Sequence, residues 1–162
     1  MAVGLRVADH LMARHCPICA LHRDAAMTER YEVVRSDLWV LRHHPDPAPL
    51  LGWFLLDSLR HCPGPLDFTT NEATEWGHAV QKASQLVQHL THCDRVYVIA
   101  FGEGAQHLHL HLIPRMIRNP STKAWAVADH YRAVESKRGV CTNPEEDAAL
   151  VRAARSMDPM LA

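Results

Sequence analysis

The chain has no long apolar run, no surplus of charge of either sign and no even set of cysteines, and each absence closes off a class of protein. No stretch of the 162 residues is apolar for the roughly 20 positions a membrane-spanning helix needs. Seventeen Lys and Arg stand against eighteen Asp and Glu, a formal charge of −1, so no global field draws the chain to nucleic acid or to an acidic membrane surface. Any anionic ligand must be caught locally. The five cysteines are an odd number, which argues against a disulfide framework and for thiols or metal ligands. The amino-terminal segment meets Arg6 and Asp9 before an apolar run can build, so a cytoplasmic protein is expected. Glycine is sparse, at 7 residues, and there is no repeat, low-complexity tract or long linker. With 48% hydrophobic residues, the expectation is one domain over 1–162 with an ordinary core.

What the chain has in excess is histidine, 13 residues, three of them at alternate positions in His107-Leu108-His109-Leu110-His111. A chain this rich in histidine can produce such a pattern by chance, so its context decides its weight. Residues 31–36 and 38–42 are β-branched and aromatic around Asp37 and read as a hairpin. Asp46-Pro47-Ala48-Pro49 breaks the chain, and residues 50–57 read as a third, apolar strand. Thr69 and Glu72 form a capping box, and Ala73, Trp76, Ala79, Val80, Ala83, Leu86, Val87 and Leu90 follow at helical spacing to about His92. Residues 95–101 and 106–113 read as an antiparallel pair around a tight Gly102-Glu103-Gly104-Ala105 turn, the second stopped by Pro114. Two helices, 124–135 and 144–157, should close the chain, the second capped by Asn143 with Pro144 in its first turn. The class is α+β, an antiparallel sheet with one long covering helix between strands 3 and 4 and C-terminal helices.

On a strand, side chains alternate faces, so His107, His109 and His111 share one face while Leu108, Leu110 and Leu112 share the other, where the long helix can bury them. The histidines then stand about 6.5 Å apart along the strand. Histidine suits phosphoryl chemistry: a neutral imidazole is a competent nucleophile near neutral pH, and a neighbouring ring can hydrogen-bond phosphate oxygens or the leaving group. A second cluster, Cys16-Pro17-Ile18-Cys19, offers two thiolates that can grip one tetrahedral zinc, with two further ligands to come from elsewhere. By spacing alone His15, His22, His61, Cys62 and His107 are all eligible. A thioredoxin-type redox pair fits less well, because no strand precedes the motif.

Taken in order, Cys16-x-x-Cys19, then Arg60-His61 after the third strand, then the long helix, then His107-Leu-His109-Leu-His111-Leu-Ile-Pro-Arg115 resembles the zinc-containing bacterial members of the histidine-triad (HIT) superfamily. The resemblance spans 16–115 and leaves 116–162 as a C-terminal helical extension. It implies a structural zinc held by Cys16, Cys19, His61 and His107, a site closed by four protein ligands. It implies that His109 is the nucleophile, attacking an α-phosphorus to form a nucleotidyl-histidine that water cleaves, with its other ring nitrogen fixed on a backbone carbonyl. His111 would bond the phosphate or leaving group. A histidine at the third triad position, where transferase branches often have Gln, favours hydrolysis of a phosphoanhydride or phosphoramidate. The implied partners are a nucleotide or nucleotide conjugate and a second copy of the chain in a homodimer.

The chain departs from the family at two places. Hydrolase members usually close the second strand with an acidic residue for the ribose hydroxyls, and here that place falls at Arg42-His43. The loop before the triad is short, leaving Gln106 and the backbone of 104–105 as candidate phosphate donors. Arg115, Arg118 and Lys123 could meet further phosphates or form a solvated basic loop, and Trp53 and Trp125 are more readily core than base-stacking residues. Two other readings remain: a zinc-stabilised nucleotide-binding module without turnover, and a metalloenzyme using the triad as catalytic metal ligands. The absence of an acidic residue from 112 to 121 counts against the second.

Overall fold

In the computed structural model, residues 14–135 and 141–157 are described. The amino-terminal residues weighed above for an apolar leader lie outside that range. Five antiparallel strands form one sheet in the order β1-β2-β3-β5-β4, with β1 Glu32–Arg35, β2 Trp39–His43, β3 Phe54–Ser58, β4 Arg95–Ile99 and β5 His109–Arg115. Helices α1 Pro17–Arg23 and α2 Ala25–Tyr31 precede the sheet, α3 Thr70–Thr91 links β3 to β4, and α4 Ala124–Glu135 and α5 Pro144–Arg155 follow it. The expected α+β class, with one long helix between the third and fourth strands, is what is found.

The long helix begins and ends as its sequence dictates. The Thr69 side chain accepts the Glu72 N–H and the Glu72 carboxylate accepts the Thr69 N–H, completing the capping box. His92 closes the helix in the left-handed region at φ 52°. Ala83, Leu86 and Val87 of α3 pack with Leu108, Leu110 and Leu112, with Leu41, Phe54 and Leu56, and with Val151 and Ala154 of α5. The leucine face of the triad strand is thus the main core.

Three expectations need correcting. The apolar run 50–57 is not a single strand: Trp53 N–H donates to Leu50 O at 3.2 Å, Gly52 turns the chain at φ +80°, and β3 begins only at Phe54. Apolar character alone could not distinguish turn from strand there, but Gly52 could have. The turn before the triad is no tight hairpin, because β4 ends at Ile99 and β5 starts at His109. Pro114 does not stop the last strand. It pairs with Val96, and past Leu112 β5 has β4 beside it but no longer β3, a position that tolerates a residue without an N–H.

The histidine face is covered as well, and from an unexpected source. Trp53, Leu55 and Ile113 form a second, smaller core with Val127, flanked by Tyr97, Ile99, Phe101 and Tyr131. Helix α4 from the C-terminal extension therefore lies on the face that carries the triad.

Candidate active site and metal centre

Register fixes what the histidines face. Val40, Asp57 and His109 lie side by side across β2, β3 and β5, and Arg42, Leu55 and His111 form the next row. Asp57, Arg42, His109 and His111 therefore share one face.

His107 precedes the regular part of β5, and its backbone neighbour Leu108 is held by bonds to Cys62 O and from Ser58 N–H. His107 Nε2 donates to Ser58 O at 2.8 Å, which leaves the lone pair on Nδ1. Burial pushes this imidazole down to about 4, so the ring is neutral. Its Nδ1 lies 3.4 Å from Cys16 Sγ and 3.3 Å from Cys19 Sγ, while His61 Nδ1 is 3.6 Å from Cys19 Sγ. Cys16 caps α1 and so presents its sulfur beside that of Cys19 one turn later. Arg60, bonded to Glu72 and to Asp67 O, fixes the segment bearing His61 against α3.

The four ligand atoms all lie within 4.8 Å of one another, the one such cluster of metal-binding side chains among the described residues. In a tetrahedral zinc site with Zn–S about 2.3 Å and Zn–N about 2.0 Å, the S···N edges are about 3.5 Å. The three S···N distances of 3.3, 3.4 and 3.6 Å match that edge. Without a cation, burial, followed by the neighbouring Cys16, pushes the Cys19 thiol up to about 11 and keeps it neutral. A divalent ion reverses that balance by binding thiolates. The Nε2 bond to Ser58 O supplies the outer hydrogen bond that orients a metal-binding imidazole.

His109 has the opposite tautomer. Its Nδ1 donates to His107 O at 2.6 Å, so Nε2 carries the lone pair. At 7% exposure it is the most accessible of the three, against 1% for both His107 and His111. The His109 and His111 rings are 5.3 Å apart, edge to face. His111 accepts the Trp53 indole N–H on Nδ1 at 2.9 Å, and its Nε2 is buried without a hydrogen-bond partner.

The remaining candidates are placed less centrally. Gln106 lines a cavity of about 220 Å³ with His15, Cys16, Pro17 and His61, beside the metal cluster. Arg115 lies at the far end of β5, its guanidinium bonded to Asn119 O, to Thr122 Oγ1 and to Met116 O. Those bonds hold the 116–122 loop, six residues along the strand from His109. Trp125 is 85% exposed, whereas Trp53 is fully buried.

Sequence reading missed a buried cluster beside His109. Arg42 grips Asp57 through Nε at 2.6 Å and through its second terminal nitrogen at 3.3 Å, and His22 Nε2 donates to Asp57 at 2.8 Å. Burial alone would raise the Asp57 carboxyl, but Arg42 and His22 outweigh it and hold it below its ordinary range. Arg42, at the place where an acidic residue was expected, thus spends its charge inside the protein. His43 faces away, packed edge-on against Phe54 at 5.1 Å. The signal was available: Asp57 ends an otherwise apolar run, two residues from Leu55 and hence on the same face.

No family model matches the sequence, and no curated protein matches it. Solved structures do share the fold. A HIT-like protein from Bartonella henselae, described as involved in cell-cycle regulation, has a TM-score of 0.64 at 21% identity over 88% of this chain and 96% of its own. A Zn-bound histidine triad family protein from Mycobacterium smegmatis has a TM-score of 0.65 at 16% identity over 93% and 99%. A hypothetical histidine triad nucleotide-binding protein from Sulfolobus tokodaii has 0.57 at 18% over 78% and 81%. At such identities the likeness is one of fold.

Proposed function

The chain has the fold of the histidine-triad superfamily, and on that premise we propose that it is a nucleotide hydrolase acting at an α-phosphate through a covalent intermediate on His109. The observation that carries this reading is the His109 ring itself. With Nδ1–H bonded to His107 O, the nucleophilic lone pair is fixed on Nε2 before substrate arrives. Attack forms an N–P bond and breaks the bond from phosphorus to the leaving group. Water then cleaves the N–P bond, releases the nucleoside phosphate and restores His109. His111, with its buried Nε2 lacking a partner, is assigned the phosphate oxygens as its acceptor. Gln106, beside Cys16 and His61, is the proposed phosphate contact on the approach to the triad. Arg115 can take that role only by leaving the loop bonds it makes.

Cys16, Cys19, His61 and His107 would hold zinc. With four protein donors the ion has no open position, and what it supplies when bound is charge for two thiolates and a fixed cross-link. That link holds α1 to the start of β5, and α1 in turn carries His22 to Asp57. A homodimer and a cytoplasmic location complete the proposal. β4 is an edge strand with Val98 exposed, the described cysteines are all free, and no described helix is long and apolar enough to cross a membrane.

A second reading is a zinc-stabilised nucleotide-binding module without turnover. It is favoured by Arg42 at the place of the ribose carboxylate and by the near-complete burial of His111. Incubation with adenosine phosphoramidate or a dinucleoside polyphosphate, followed by mass spectrometry of the intact protein, separates the two. A nucleotidyl adduct absent from His109→Ala supports the enzyme. Nucleotide binding with neither adduct nor turnover supports the module and sinks the hydrolase.

A further inference from the structure

His111 is enclosed by a ring of aromatic side chains that the chemistry above leaves without a role. Phe101 and Tyr131 lie 5.0 Å and 5.3 Å from its ring centre, both edge-on. They stack on each other at 5.2 Å, and Tyr131 stacks on Trp53 at 5.7 Å. Trp53, fully buried, points its indole N–H at His111 Nδ1 from 2.9 Å. An indole nitrogen is a donor only. Nδ1 must therefore carry a lone pair, and the single ring proton of His111 lies on Nε2. Protonating Nδ1 would set two N–H groups against each other across that distance.

The rest of the surroundings act in the same direction. The groups facing His111 are His109 on β5, Arg42 on β2 with His44 just beyond it, Asp57 on β3 and Tyr131 on α4. Burial, then the charges of His109, His44 and Arg42, outweigh Asp57 and push the imidazole down to about 3.

We propose that Trp53 is a specificity-determining residue: by holding His111 as a neutral Nε2–H donor, it restricts turnover to leaving groups that depart from the α-phosphorus as oxyanions, and disfavours amines. The assignment rests on the hydrolase reading above. With a phosphoanhydride, His109 Nε2 forms the N–P bond while the P–O bond breaks, and the electron pair stays on an oxygen of a phosphate whose second pKa is about 6. That oxygen needs no proton. With a phosphoramidate the P–N bond breaks, and the amine must gain a proton as it leaves. A neutral imidazole N–H is too weak an acid to give one, although it still hydrogen-bonds the phosphate oxygens in both cases.

Two measurements on the full chain test this. Long-range 1H–15N correlation spectra of the imidazoles should show His111 in the Nε2–H form, without titration between about pH 5 and 8. The ratio of kcat/KM for a dinucleoside polyphosphate over adenosine phosphoramidate should fall in Trp53→Phe by about tenfold or more, the scale on which a general acid acts. With Nδ1 freed of the opposing indole N–H, the His111 pKa in that variant should rise above its wild-type value while burial still holds it low, and the gain on the phosphoramidate should be confined to the acid side of the profile. Phe101→Leu, which keeps the indole, should leave the ratio unchanged. A wild-type His111 that titrates in this window, or an unchanged ratio in Trp53→Phe, overturns the proposal. Wild-type protein that shows the Nε2–H form but turns over neither substrate overturns the hydrolase reading, and the leaving-group assignment with it, while the Trp53-held tautomer stands.

Discussion

Replacing Asp57 with Asn keeps the shape of the side chain and removes one charge from a sealed cluster. Asp57 is fully buried and Arg42 is 2% exposed, so solvent cannot take over from the lost partner. The variant leaves a guanidinium without its carboxylate, a change that costs about 3–5 kcal/mol. Against a total stability of about 5–15 kcal/mol, and at about 2–4 °C per kcal/mol for a domain of this size, the melting temperature should fall by about 6–20 °C. The pH dependence has a definite sign. Because the Asp57 carboxyl is held below its ordinary 3.8 in the folded state, its contribution is full above that value and is lost as the pH falls through the lower, folded one. Wild type should therefore lose stability steeply in acid, and Asp57→Asn should lose less. A paired change, Arg42→Met with Asp57→Leu, removes both charges and should recover most of the loss. Urea unfolding at pH 7 and pH 3 measures all of these. A loss below about 1 kcal/mol for Asp57→Asn at pH 7, or a paired variant no better than the single one, refutes the cluster as a buried ion pair.

Metal analysis should find one zinc per chain that is lost in Cys19→Ser and kept in His109→Ala; loss of metal in His109→Ala would favour the catalytic-metal alternative. Stripping zinc with a chelator should destabilise the fold, because the binding free energy of a structural site is folding free energy, and hydrogen exchange should then rise first in α1. Gly52→Ala should cost more than about 1 kcal/mol, since the backbone is at φ +80° and the added Cβ would come 2.4 Å from Thr91 Cγ2. Thr91→Ser should recover only the part due to that contact. In a stability assay, equal stability of Gly52→Ala and wild type would show that the turn before β3 is not built as described.

Much of the fold was legible because its signals are local or periodic. The capping box at Thr69 and the stripe from Ala73 to Leu90 depend on residues three and four apart, and the helix they predict runs from Thr70 to Thr91. Alternation in 107–112 likewise assigns leucines to one face and histidines to the other. Strand ends were less legible, since they depend on neighbours: β5 runs through Pro114 because β3 has already ended. Helix α4 could be read as a helix from its own residues. That Val127 and Tyr131 would lie on the histidine face could not, because no periodicity within α4 says which face of a distant sheet receives it.

The candidate site divides along the same line. Cys16, Cys19, His61 and His107 could be drawn together only through a family resemblance, as spacing also left His15, His22 and Cys62 eligible. What separates them physically is the Ser58 carbonyl, which takes the Nε2 proton of His107 and turns its lone pair toward the two sulfurs. Each triad ring is in fact set by a partner remote from the motif or by the motif's own backbone: Ser58 O for His107, His107 O for His109 and the Trp53 indole for His111. The three bonds set two tautomers, Nε2–H in His107 and His111 and Nδ1–H in His109, and three different uses: a lone pair toward the metal cluster, a lone pair for attack and an N–H for an acceptor. Identical residues at identical spacing thus acquire separate roles from the single polar atom opposite each ring. Exchanging any one of those atoms should change one role while leaving the other two in place.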